Sequence, residues 1–300
     1  MNDSSDLLIF LRLNGVLSPS LLYKWWKKDP SLSLTDEKNH PLTELTKKKV
    51  NLYSIRKLTH NGLSTVKDLY QNYHENGVDM IAISSPDYPD CLKMIHDPPP
   101  VLFIKGKKTL FYEKRRIGVV GTRHPSSYGE MVTTYLVREL SKNNWSIVSG
   151  LAKGIDGHAH RESIRAKGST IGVIAGGFNH FYPRENRELA EQMARNHLLV
   201  SEHPPHIKPQ KWHFPLRNRL ISGLTEGIVV IQGKEKSGSL ITAYQALEQG
   251  REVFAVPGSI FEQNSFGPAR LIQEGAKLVT NIDDILSELP SFHAQNLELL

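Results

Sequence analysis

One cysteine in 300 residues, Cys91, excludes an internal disulfide and any cysteine-based zinc site. Long apolar runs are also missing, and none approaches the roughly 20 residues that a bilayer-spanning helix needs. The opening stretch, MNDSSDLLIFLRLNG, carries acids where a secretory signal would carry lysines, and Arg12 interrupts its apolar run. A cytoplasmic protein with no membrane association is therefore expected. Common cofactor and nucleophile signatures are absent too. Gly118-Val119-Val120-Gly121 does not fit G-x-G-x-x-G, no Walker glycine-lysine-serine/threonine sequence occurs, and no Gly-x-Ser-x-Gly elbow is present. His158 and His160 lie two apart and cannot share a metal on one helix face, so they read as hydrogen-bonded packing residues. No cofactor and no metal are expected. Excess charge is scarce as well. The net value of +6 is split evenly about residue 75, so any anion site must come from local clustering.

What is present is a soluble globular composition, 39% hydrophobic and 23% charged. Residues 1–75 read as a small domain of short helices: LLIFLRL, LSPSLLYKWW, LTELTKKKV and LYSIRKL place apolar residues three and four apart. Ser18 followed by Pro19 predicts an N-cap with proline in the first turn. The basic triplet Lys47-Lys48-Lys49 reads as a wet helix face. Residues 76–115 read as a connector punctuated by Pro89 and Pro98-Pro99-Pro100, with VLFIKG a short strand ending at Gly106.

From residue 116 to 290 the pattern alternates. Apolar runs at 117–120, 145–148, 170–175, 197–200, 227–231, 252–256 and 277–279 are separated by amphipathic stretches such as SYGEMVTTYLVRELSK and SLITAYQALEQ. Short unbroken β-branched runs between helices predict a mostly parallel sheet covered on both faces. The fold class is α/β, an extended Rossmann-like doubly wound sheet of six or seven strands preceded by the all-α domain. Residues 291–300 read as a tail.

In such a sheet, ligands sit beyond the carboxyl ends of the strands, where helix N-termini present N–H groups to anions. Four strand ends carry suitable residues: Gly121-Thr122-Arg123-His124, then Ser149-Gly150 through Lys153 to Asp156, then Gly176-Gly177, then Lys234-Glu235-Lys236-Ser237-Gly238-Ser239-Leu240. Glycine admits a phosphate close to the backbone, hydroxyls donate to it, and Lys or Arg supplies charge. Asp156 reads as capping or orienting its own turn. The densest cluster is Trp212-His213-Phe214-Pro215-Leu216-Arg217-Asn218-Arg219. Arg217 and Arg219 diverge by about 200° on a helix, so one can reach a ligand while the other holds the fold or an interface.

The ordered motifs GTR (121–123), SGLAKGIDGHAH (149–160), YP (182–183), SEHPP (201–205), FPLRNRLISGL (214–224), SGSLITA (237–243), GREVFAVPG (250–258) and LIQEGAKLV (271–279) closely resemble the DprA/Smf DNA-processing proteins. The resemblance spans roughly 88–280, and the N-terminal segment is similar to the family's sterile-alpha-motif-like domain. It implies a homodimeric single-stranded-DNA-binding protein that protects incoming strands in natural transformation, interacts with RecA and loads it onto DNA, with no catalytic residue. By motif position the strand pocket would include Arg123, Ser149, Gly150, Lys153, Phe214, Arg217, Asn218 and Ser237, and a dimer surface would lie near Leu271 and Ile272.

This sequence departs from the family pattern in three places. The usual Val-Glu-Ala reads Ile231-Gln232-Gly233, Gly-Thr-Asn reads Gly267-Pro268-Ala269, and no winged-helix domain follows Leu289. The alternative is a nucleotide-binding protein or a nucleoside-monophosphate phosphoribohydrolase-like enzyme on a related scaffold. The Pro-Gly-Gly-x-Gly-Thr loop and following glutamate of such enzymes are replaced here by Lys236-Ser237-Gly238-Ser239-Leu240-Ile241-Thr242.

Overall fold

The computed structural model describes residues 3–34, 40–46, 55 and 68–289. The Lys47–Lys49 triplet, most of LYSIRKL and the tail 291–300 lie outside the described residues. By its contacts the chain divides into two units, Met1–Lys105 and Gly106–Leu300.

The first unit opens with helices α1 (Asp3–Leu13), α2 (Pro19–Lys28), α3 (Pro41–Thr46) and α4 (residues 68–75). Ser18 caps α2 as expected, its hydroxyl accepting from the Leu21 N–H at 3.3 Å ahead of Pro19. Leu8, Leu11, Leu22, Trp25 and Leu42 are buried, and Trp25 meets the His40 ring edge-on at 5.0 Å. The stretch read as a connector contains more than the one strand expected. Strand β1 (Asp79–Ala82) precedes a short helix α5 (Asp90–Lys93) and strand β2 (Val101–Gly106), and the two strands pair antiparallel, Asp79 opposite Ile104 and Ala82 opposite Val101. The prolines fall in the intervening 83–100 segment, where the Tyr88 hydroxyl donates to the Pro99 carbonyl at 2.7 Å.

The second unit alternates β3 (Arg116–Val120), α6 (Ser127–Lys142), β4 (Ser146–Ser149), α7 (Ile155–Arg165), β5 (Thr170–Val173), α8 (Arg187–Asn196) and β6 (Leu198–Ser201). It continues through α9 (His213–Gly223), β7 (Gly227–Val230), α10 (Gly238–Glu248), β8 (Glu252–Ala255), α11 (Phe266–Gln273), β9 (Lys277–Leu278) and α12 (Asp283–Leu286). Its seven strands lie in the order β6-β5-β4-β3-β7-β8-β9, all parallel. Every residue of β3 through β7 is buried, which explains the unbroken apolar runs. Alternate residues serve opposite faces. Ile117, Val119, Ile147 and Val229 pack against Leu136, Val137 and Leu140 of α6 and Ile155 and Ala159 of α7. Helix α10 packs on α9 and on β7 and β8. Leu271, expected near a dimer surface, is buried inside this unit, whereas Ile272 is half-buried.

Strand order steps outward from β3 to β6, then the chain returns through α9 to place β7 on the other side of β3. Loops leaving β3 and β7 therefore diverge, and a crevice opens between them at their carboxyl ends.

His160 illustrates how tightly this unit is packed. It is fully enclosed, its Nδ1 lies 2.6 Å from the Thr170 hydroxyl, and burial, helped by the charges of His197, Arg161 and Arg217, lowers its pKa from 6.5 to about 3. Between those values the unfolded chain binds a proton that the folded chain refuses. Stability conferred by neutral His160 is thus complete above about pH 6.5 and declines as pH falls, by about 1.4 kcal/mol per unit at most. Urea unfolding of the wild type between pH 6.5 and 5 should show this slope, and His160→Gln should flatten it. Equal slopes in both proteins would contradict the assignment.

Candidate nucleic-acid interface

The crevice at the β3–β7 junction is a cavity of about 840 Å³. Its walls come from the turn after β3 (Gly121, Thr122, Arg123, His124), the turn after β7 (Lys234, Lys236, Ser237), the first turns of α9 and α10, and Lys211.

The turn after β4 forms the support beneath it. Leu151 and Gly154 both have positive φ, 55° and 73°, and at Gly154 a side chain would also strike the Thr122 carbonyl. Asn186 Nδ2 donates to the carbonyls of Leu151 and Ala152 at 3.0 and 2.8 Å. Asp156 Oδ2 accepts from the Gly150 N–H at 3.1 Å, so this carboxylate orients its own turn as expected. Burial pushes its pKa up, while Arg217 and the N–H groups of Gly150, Ala152 and Gly121 pull the other way.

Arg217 projects from α9 into the same support and is only 5% exposed. Its Nη1 donates to the Gly150 carbonyl at 2.5 Å and to the Val173 carbonyl, and Nε donates to Asn218 Oδ1 at 3.1 Å. Burial lowers its pKa to about 10, Asp156 opposing the shift and Arg123 adding to it, so it remains charged at neutral pH. A Cβ at position 150 would come within 2.7 Å of the guanidinium atoms, so glycine there leaves room for Arg217. Asn218 Nδ2 donates to the Gly238 carbonyl at 3.1 Å, tying α9 to the start of α10, where the Ser237 and Ser239 hydroxyls lie 2.8 Å apart.

Exposed cations stand above this support. Arg123, Lys211, Lys234 and Lys236 are all exposed and line the cavity, and the Arg123 guanidinium lies 5.9 Å from the Phe214 ring centroid. Tyr182 meets Phe214 edge-on at 5.7 Å. The carboxylate among the described lining residues is Asp156, held by the N–H groups of Gly150, Ala152 and Gly121 in the field of Arg217. The cavity is therefore strongly cationic, with aromatic faces on one wall. It suits a polyanion carrying flat apolar groups.

Of the residues expected from sequence, Gly121, Thr122, Arg123, Phe214, Arg217, Asn218, Lys236, Ser237, Gly238 and Ser239 converge on the cavity. Gly150 and Lys153 border a smaller cleft that shares Arg123 and Phe214, and Lys153 is ion-paired with Glu185. The other three fall elsewhere. The buried Ser149 hydroxyl donates to the Val119 carbonyl at 2.6 Å, linking β4 to β3. Gly176 lies against Pro209, where a Cβ would come within 2.9 Å of the ring. Arg219 points away and pairs with Glu202 at 2.5 Å, both buried. Lys211 and Tyr182 were missed as candidates, although one immediately precedes the aromatic–arginine cluster and the other belongs to the YP motif. Lys234 opens the strand-end turn that the sequence marks as suited to an anion, and it reaches the cavity.

The profile of the family described as DNA recombination-mediator protein A matches residues 79–290. DNA processing protein DprA of Bacillus subtilis is 54% identical over 298 residues, 99% of each chain. Its counterpart from Streptococcus pneumoniae is 46% identical over 201 residues, 67% of this chain and 71% of that one. The X-ray structure of S. pneumoniae DprA superposes with a TM-score of 0.83 at 35% identity, covering 95% of this chain and 98% of that one. DNA processing protein A from Helicobacter pylori, described for its single-stranded DNA binding mode, superposes with a TM-score of 0.64 at 28% identity, covering 71% and 97%.

Removing Arg217 takes the guanidinium donor from the Gly150 and Val173 carbonyls and a positive charge from beside Asp156. Arg217→Ala should cost at least about 2 kcal/mol of stability, the scale of two orphaned buried acceptors, whereas Lys236→Ala, on the exposed rim, should change it by no more than about 0.5 kcal/mol. Chemical denaturation measures both, and comparable small losses would show that Arg217 is not structural.

Proposed function

The chain belongs to the DNA recombination-mediator protein A family of DNA-processing proteins, and on that premise we propose that it binds single-stranded DNA in the β3–β7 cavity and acts as a recombination mediator without catalysing a reaction. The observation that carries this reading is the cavity's charge pattern: exposed Arg123, Lys211, Lys234 and Lys236 above a floor whose carboxylate is already engaged. Such cations neutralise phosphates, and the Phe214 and Tyr182 rings offer faces to unpaired bases. The single-strand binding mode of the H. pylori relative supports it.

An enzymatic reading needs an acid or base facing the ligand. Asp156 is the lining carboxylate, and the N–H groups of Gly150, Ala152 and Gly121 already use its oxygens, which favours binding over cleavage. Protection of incoming strands, loading of RecA, homodimerisation and a cytoplasmic location belong to the same proposal. Among the described residues no helix is long and apolar enough to cross a membrane.

Fluorescence anisotropy with a labelled thymidine oligonucleotide across a salt series tests the binding step. Wild type should weaken steeply with salt, and Arg123→Ala and Lys236→Ala should each lower the log–log slope by about 0.7, one phosphate contact apiece. Duplex DNA and AMP should compete poorly. Displacement by micromolar AMP, or release of base from it, would replace this reading with the nucleotide-enzyme one. For the mediator step, the protein should shorten the lag of RecA-dependent ATP hydrolysis on single strands, and an unchanged lag counts against loading.

A further inference from the structure

The loop joining β8 to α11, residues 256–265, carries the most exposed large apolar side chain among the described residues, Phe261 at 89%, next to Ile260 at 78%. This loop is held from several sides. The Tyr128 hydroxyl donates to the Pro257 carbonyl at 2.7 Å. Within the tip, the Phe261 N–H donates to the Ser259 hydroxyl at 3.2 Å and the Glu262 N–H to the Ser259 carbonyl at 3.1 Å. Asn264 then fastens it to both cavity turns: its Nδ2 donates to the His124 carbonyl at 3.1 Å, and its carbonyl accepts from the Gly233 N–H at 2.7 Å. His124 lines the cavity, and Gly233 directly precedes Lys234, which also does. Three residues of chain span at most about 11 Å, so Phe261 stands close to the cavity rim.

A pair of apolar side chains kept almost wholly in water on a fastened loop, beside a row of cations, suits one kind of occupant. We propose that Phe261, supported by Ile260, is a stacking platform for bases of a single strand that leaves the cationic cavity on the β8 side; this rests on the reading of that cavity as a strand site. The platform supplies what the cations cannot. Phosphates are common to single strands and duplexes, so contacts to them position either one. An unpaired base has a π-face to give to an aromatic ring, whereas a duplex keeps its faces stacked inside the helix. Phe261 thus acts as a determinant of single-strand preference, indifferent to sequence because every base has such a face.

The test uses the full chain, the thymidine oligonucleotide, a duplex of equal length, and the dinucleotide pTpT as a ligand too short to reach from cavity to loop. Phe261→Ser should weaken oligonucleotide binding roughly tenfold, the scale of one stacked base. It should narrow the margin over duplex while leaving the salt slope and pTpT competition unchanged, since no phosphate contact is lost. Phe261→Trp should retain affinity, and its indole emission should be quenched by the oligonucleotide. Unaltered binding by Phe261→Ser would overturn the platform and leave the exposed pair to a protein partner. An equal loss for pTpT would overturn it as well, by showing that the substitution disturbs the cavity. A wild type that binds no single strand would remove the cavity reading itself, a failure distinct from the other two.

Discussion

The Arg217 guanidinium, buried beneath the sheet's carboxyl edge and bonded to strand-end carbonyls near Asp156, is the constraint on which the rest of the site depends. A buried charge gives little net stability, because it forfeits its hydration. What it gives here is connectivity. The guanidinium reaches the ends of β4 and β5 through the carbonyls of Gly150 and Val173, and the carboxylate gathers N–H groups from the turns after β3 and β4. Neighbouring Asn218 extends the linkage to α10. The turns that approach the ligand are thereby referenced to one buried point. Without the guanidinium, the Gly150 and Val173 carbonyls would lose their buried donor.

This arrangement divides the cations into two populations. Arg217 and Arg219 are spent on the fold, one on the strand-end carbonyls and Asn218, the other on Glu202. Arg123, Lys211, Lys234 and Lys236 stand in water along the rim. Only the second group can exchange counterions for phosphates at low cost, so the salt dependence of binding should reside there. Arg217 still contributes to the potential at the cavity floor, where the lower dielectric weakens screening.

The fold was largely legible because a parallel sheet buried on both faces writes unbroken apolar runs, and those at 117–120 and 227–231 coincide with β3 and β7. Ser18-Pro19 marked a helix start in the same direct way. Strand β1 escaped because DMIA is four residues long, begins with an acid, and pairs with β2 across an eighteen-residue connection with no hairpin signal. At the site, strand ends named the right turns but not the direction of their side chains. Ser149 and Gly176 have the residue types of a phosphate loop yet serve packing. The helical angle separated Arg217 from Arg219 without telling which one faced the crevice. Tyr182 enters from a segment distant in sequence, and only tertiary structure brings it to Phe214, whereas Lys211 lies three residues before that ring and only the fold shows that it reaches the rim.

Gly150 carries the argument further. A glycine-rich turn at a strand's carboxyl end invites the interpretation that a phosphate needs the space, yet here a guanidinium of the protein's own takes it. The same small residue can serve a ligand or an internal brace, and composition does not distinguish them. What separates the two is charge balance. Where glycine makes room for an arginine whose donors are taken up by buried carbonyls, the site is a girder. Where glycines accompany exposed cations and Asp156 is the one carboxylate among the described lining residues, as at Arg123, Lys234 and Lys236, much of the charge must be balanced from solution. A polyanion does so with one chain, releasing many small counterions, and that entropic gain favours a strand over a mononucleotide in a cavity with cations spaced along its rim.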